Sequence, residues 1–173
     1  MIKVFVASSN ELEAEREELA GVVKNLNGWL YSCGEEERVV LEKWEYLDSS
    51  MGVDHKQEEY NRVLRTCDAA VGLCWRKFGE YTEQEVTVAR EEIRAGRRVR
   101  RLEVWFKEDA TGGGMLPELV LFRNRLHREW RVKEKRFASM AELRVLFTEM
   151  ALELLEDVGI PVPDEEEWKK FGL

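Results

Sequence analysis

The sequence predicts a doubly wound α/β domain of flavodoxin-like type, with five parallel strands in the order 2-1-3-4-5 and helices on both faces. Three observations lead there. Short apolar runs without alternation, such as "VFVA" and "DAAVGLCW", suit strands covered on both faces. They alternate with longer stretches whose apolar residues recur every three or four positions, as on one face of a helix. Small polar and acidic residues follow the first run at once, in the spacing that opens a helix.

The elements follow in order. Val4 to Ala7 form the first strand, and Ser8 with Glu11 and Asn10 with Glu13 each have the spacing of a capping box. The first helix then runs from about Glu11 to Tyr31, carried by Leu12, Leu19, Val22, Val23, Leu26, Trp29 and Leu30, with Gly34 to stop it. "RVVLEKWEYL" (38–47) is the second strand and "DSSMGVDH" (48–55) a loop. A second helix spans about His55 to Thr66, and "DAAVGLCW" (68–75) is the third strand. Val86, Ala89 and Ile93 mark the face of a third helix, and "VRRLEVWF" (99–106) is the fourth strand. "KEDATGGGML" (107–116) is a loop that lacks the Lys-Ser or Lys-Thr pair of a phosphate-cradling P-loop. A short helix from Pro117 leads to "HREWRVKE" (127–134) as the fifth strand. The last helix is capped by Ser139 with Glu142 and ended by Gly159 and Pro161.

A chain of 173 residues makes one domain, here 1–160, followed by an acidic tail or linker, 161–173. The formal charge of −8 disfavours nucleic acid and anionic membranes as general partners, while two local basic runs stand out, "RAGRRVRR" (94–101) and "FRNRLHREWRVKEKRF" (122–137). Arginines at a helix C-terminus already explain the first. Three cysteines without CxxC spacing imply reduced thiols in a cytoplasmic protein, and no 18-residue apolar run offers a membrane span. His55 and His127 are too far apart, with no paired cysteines, to suggest a structural zinc site.

Chemistry concentrates in "FGEYTEQEVTVA" (78–89), where the chain passes from the third strand into a helix. Thr82 and Glu85 have capping-box spacing, which alone accounts for both. The same placement puts a carboxylate in the first helical turn at the carboxyl edge of the sheet, across from Ser8 and Ser9, where α/β proteins bind ligands. Ser8 and Ser9 are candidates to contact ribose or phosphate at a positive helix end. Trp44, Trp75, Phe78 and Tyr81 are candidates to stack on a planar ring, and Asp48 to close over the site. Glu83, two residues from Glu85, belongs to a different helix face.

Together "KVFVASSNELEAERE", "LEKWEYLD", "EEYNRVLRTCDAAVGLCWRKFGEYTEQEVTVA" and "RLEVWFK" resemble the bacterial TIR-like family, whose members begin with a strand and Ser-Ser and carry a Cys-Asp strand followed by Gly-x-Tyr-Thr-x-x-Glu. Thr82, Glu85 and Ala89 also share the Thr-x-x-Glu-x-x-x-Ala spacing of nucleoside 2-deoxyribosyltransferases, a related fold with a glutamate nucleophile. The resemblance implies NAD as substrate rather than bound cofactor, with Glu85 supporting cleavage of the nicotinamide–ribose bond. It also implies a role in bacterial defence or signalling and self-association or docking to another module. Two alternatives stand beside this expectation: a non-catalytic TIR-like scaffold, and a deoxyribosyltransferase. One carboxylate suffices for NAD, because nicotinamide leaves as a neutral base from a cationic pyridinium, whereas a glycosidase must also protonate its leaving alkoxide.

Overall fold

The computed structural model describes residues 1–43, 53–77, 82–108, 114–132 and 134–172. Five strands, β1 (Ile2–Ser8), β2 (Val39–Lys43), β3 (Ala69–Cys74), β4 (Arg101–Lys107) and β5 (Glu134–Phe137), form one wholly parallel sheet in the order β2-β1-β3-β4-β5. Six α-helices accompany them: α1 (Glu13–Ser32), α2 (Val53–Leu64), α3 (Thr82–Arg94), α4 (Pro117–Arg125), α5 (Met140–Glu156) and α6 (Glu165–Phe171). The expected doubly wound architecture and strand order are therefore those observed.

Both faces of the sheet are apolar, which is why its strands lack alternation. Val4, Val6, Val71, Leu73 and Trp105 face one layer, where Leu19, Leu26, Leu143, Phe147 and Leu154 of α1 and α5 complete the largest core cluster. Trp105 meets Phe147 edge to face, with ring centroids 6.4 Å apart. Phe5, Ala7 and Ala70 face the other layer, against Tyr60 and Leu64 of α2 and Val88 and Ala89 of α3. Beside them, Cys74, Val104 and Phe106 pack with Val86, Leu119 and Phe122. The chain after Pro163 forms α6, with a capping box from Asp164 and Glu167, and its Trp168 and Phe171 pack on the largest cluster.

Two expectations are corrected. The segment 127–134 is not the fifth strand: α4 continues into a π-helical turn, Leu126–Trp130, and β5 begins only at Glu134. Leu119, Phe122 and Leu126 make one buried stripe, so helix packing prevails over the local alternation of "HREWRV". Nor do Ser8–Glu11 and Asn10–Glu13 form capping boxes. A single 3₁₀ turn, Asn10–Leu12, precedes α1, and neither N-cap, Ser9 nor Leu12, accepts a side-chain cap bond. The cap expected at the last helix is present: Ser139 Oγ accepts from Glu142 N at 3.2 Å, and Glu142 Oε2 accepts from Ala138 N at 2.7 Å.

The order of connections fixes where a ligand would sit. The chain leaving β1 turns to α1 on one face, while that leaving β3 turns to α3 on the other, so the topological switch point, where open α/β sheets hold ligands in a crevice, falls at the carboxyl edge between these two strands.

Candidate functional site

Helix α3 lies unusually close to β3 because residue 72 is glycine. A Cβ there would come within 2.9 Å of Val86 Cγ2, closer than carbon atoms tolerate. This approach brings the first turn of α3 down onto the carboxyl edge. Thr82 is only 2 % exposed and Glu85 only 4 %. The expected capping box is not formed: Thr82 begins the helix rather than preceding it, and its buried Oγ1 has no hydrogen-bond partner among the described residues. Glu85 makes no hydrogen bond or ion pair with any described residue, and burial pushes its carboxyl from the ordinary 4.5 up to about 8. Glu83, as expected, belongs elsewhere: its carboxylate pairs with Arg125 at 2.5 Å on the exposed face.

The β1–α1 corner across the crevice has the opposite character. Arg16, 1 % exposed, donates through Nη1 to Ser8 Oγ at 2.8 Å and to the Ser9 carbonyl at 2.9 Å. Ser9 Oγ donates to Glu11 Oε1 at 3.1 Å, and the same oxygen accepts from the backbone N–H groups of Arg76 and Lys77, both at 3.3 Å. Glu11 therefore reaches across the edge to the turn after β3 instead of back to its own helix, which is the physical reason its capping box is missing. Glu15, also buried, holds Lys107 at 2.5 Å. These polar groups hold one another.

A third part of the edge lies beyond β3, where a cavity of about 290 Å³ is lined by Trp75, Phe106, Lys107, Met115, Arg123 and Arg136 among others. Its cations are already engaged. Lys107 Nζ lies 4.2 Å from the Trp75 ring centroid and Arg76 Cζ lies 4.4 Å from it. Arg123 makes a two-pronged pair with Glu134 at 2.8 and 2.6 Å, and Arg136 joins at 3.0 Å. Burial would raise the Glu134 carboxyl, but these bonds and one from His127 hold it at about 2.

Of the residues singled out in the sequence, Thr82 and Glu85 thus share the first turn of α3. Ser8 and Ser9 are bound into the corner opposite, and Trp75 lines the neighbouring cavity with Lys107. Trp44, Asp48, Phe78 and Tyr81 lie outside the described residues. Sequence reasoning missed Glu15 and Arg16, although their positions between Leu12 and Leu19 fall on the buried stripe of α1, where charge signals a tertiary partner. It also missed Gln57 and Asn61, both 8 % exposed, at the corresponding height of α2. Gln57 Nε2 donates to Asn61 Oδ1 at 3.2 Å and its buried Oε1 has no partner among the described residues.

Cys33, Cys67 and Cys74 are all free, and burial raises the thiols of the latter two, that of Cys67 to about 12, so neither serves as a nucleophile. No helix among the described residues is long and apolar enough to cross a membrane. No family model matches the chain, and no curated protein matches it.

Proposed function

We propose that the protein is a TIR-like NAD glycohydrolase in which Glu85 acts on the nicotinamide–ribose bond. The observation that supports this reading is the placement of Glu85 with Thr82: two polar side chains buried in one helical turn at the carboxyl edge of a parallel sheet, neither with a hydrogen-bond partner among the described residues. A carboxyl with its pKa raised to about 8 holds its proton in the resting protein. A cationic pyridinium beside it favours the ionised form. As nicotinamide departs, the carboxylate stabilises the oxocarbenium-like ribose, in a dry setting where one such interaction contributes about 3–4 kcal/mol. The Thr82 hydroxyl, in the same helical turn, is available to hold a ribose or carboxamide group. The resemblance in sequence adds a bacterial defence or signalling context and assembly into oligomers.

The test follows free nicotinamide from NAD, using concentrated protein with a crowding agent so that assembly does not limit the result. Wild-type protein should release nicotinamide and Glu85→Gln should be at least about 10²-fold slower. Because kcat/KM reports the free enzyme's ionisation, it should rise with pH through about 8. Equal release by both proteins removes Glu85 from the chemistry. Silence from both favours the scaffold, and base exchange between deoxynucleosides without NAD cleavage favours the transferase.

A further inference from the structure

At the opposite, amino edge of the sheet, the two basic runs of the sequence come together. Arg90 and Arg94 from the second half of α3, Arg100 and Arg101 at the start of β4, and Trp130 and Arg131 at the end of the π-helical turn line a groove of about 630 Å³. No carboxylate lines it among the described residues, in a protein whose net charge is −8. Helix-end electrostatics and local pairing account for only part of this cluster. Arg97 pairs with Glu92, Arg98 and Arg100 with Asp68, and Arg101 with Glu153. Arg94 and Arg131 have no ion pair with any described residue.

Two further details indicate a prepared surface. Arg90 Cζ sits 4.8 Å from the centre of the Trp130 ring, which is itself held edge to face by Phe122 at 5.8 Å, so a planar cation is fixed in the groove wall. Arg131 adopts a left-handed backbone, φ 54°, the one non-glycine residue among those described to do so. Glycine would adopt this conformation with less strain, so the arginine side chain is present at a conformational cost.

We infer that this groove binds a small ligand bearing two or more linked phosphates, either a nucleoside polyphosphate or an inorganic polyphosphate. Its volume is that of a small-molecule site, and guanidinium groups match phosphate oxygens in paired hydrogen bonds. A long nucleic-acid strand is disfavoured by the net charge of −8, which repels an extended polyanion more than a short one seated among the arginines. The groove is separate from Glu85, which lies in the first turn of α3 at the carboxyl edge, five residues before Arg90 and nine before Arg94, roughly 7 to 13 Å along the helix axis.

Titration calorimetry on the full chain at physiological salt tests this with tripolyphosphate, ATP and a 20-nucleotide single strand. Saturable binding of tripolyphosphate or ATP at one site is expected. Equal affinities point to the phosphates alone, and tighter ATP binding points to base stacking on Arg90. Arg94→Ala and Arg131→Gly should each weaken binding about tenfold, the equivalent of one charge-assisted hydrogen bond, while Glu85→Gln binds as the wild type does. Arg131→Gly relieves the backbone, so its Tm should equal or exceed that of the wild type and a folding defect cannot account for its loss of binding. The inference is overturned if neither phosphate compound binds saturably or if both arginine variants bind as tightly as the wild type. A strand that binds more tightly than ATP through the same arginines also overturns it, in favour of nucleic acid.

Discussion

The β1–α1 corner and the first turn of α3 occupy equivalent places, each a strand-to-helix passage on the carboxyl edge, yet they treat buried polarity in opposite ways. At the corner, Arg16, Ser8, Ser9 and Glu11 satisfy one another and tie in the turn after β3. In the first turn of α3, neither the Thr82 hydroxyl nor Glu85 is paired with any described residue. Ser-Ser is the more eye-catching motif, and its polar groups are held by Arg16 and Glu11. The uncompensated turn is where stability has been given up, and that makes it the candidate for chemistry.

The largest effect that would sharpen this contrast is electrostatic. Unfolded, the Glu85 carboxyl loses its proton near 4.5; folded, it keeps the proton to about 8. Its protonated form therefore favours the fold fully below pH 4.5, and that contribution is lost as pH rises through about 8. Glu85→Gln removes this dependence. In urea denaturation its advantage over the wild type should be small at pH 5 and grow to about 3–5 kcal/mol by pH 9. A constant difference across that range would mean the carboxyl is not confined as described. The next effect belongs to the corner: Arg16→Met leaves the Ser8 hydroxyl and the Ser9 carbonyl short of a buried donor and should cost about 2–4 kcal/mol at neutral pH.

Gly72→Ala comes third. Its methyl group meets the Val86 side chain at 2.9 Å, so Val86 or α3 itself must shift, with a loss of about 1–3 kcal/mol in urea denaturation and, where the helix moves, a fall in any Glu85-dependent turnover larger than stability alone explains. The smallest effects form a matched pair. Ser8→Ala removes a used hydroxyl and should destabilise by about 1 kcal/mol, whereas Thr82→Val removes an unused one and should be neutral or stabilising by about the same amount. Similar losses for both would erase the distinction between the two turns.

Strand order and the helices were legible because apolar runs and 3.6-residue stripes are local signals that the core then obeys. Trp130 and Val132 show the limit: alternation suggested a strand, but the stripe of Phe122 and Leu126 kept the chain helical until the left-handed Arg131 ended it. Glu85 was legible as a carboxylate at the mouth of a helix, and its burial was not, because that depends on Gly72 admitting α3 so closely. The Ser8–Arg16 and Glu11–Arg76 contacts escaped for a related reason. Capping spacing is a property of neighbours, whereas Glu11 found its donors 65 and 66 residues away.

That last contact has a mechanical consequence. One carboxylate moors the residues leaving β3 to the lead-in of α1, so these two stretches of the edge are not independent of each other. Any displacement of Arg76 and Lys77 must either carry the 3₁₀ turn along with it or snap their bonds to Glu11, and slow deuterium uptake at those two amides would show the mooring intact.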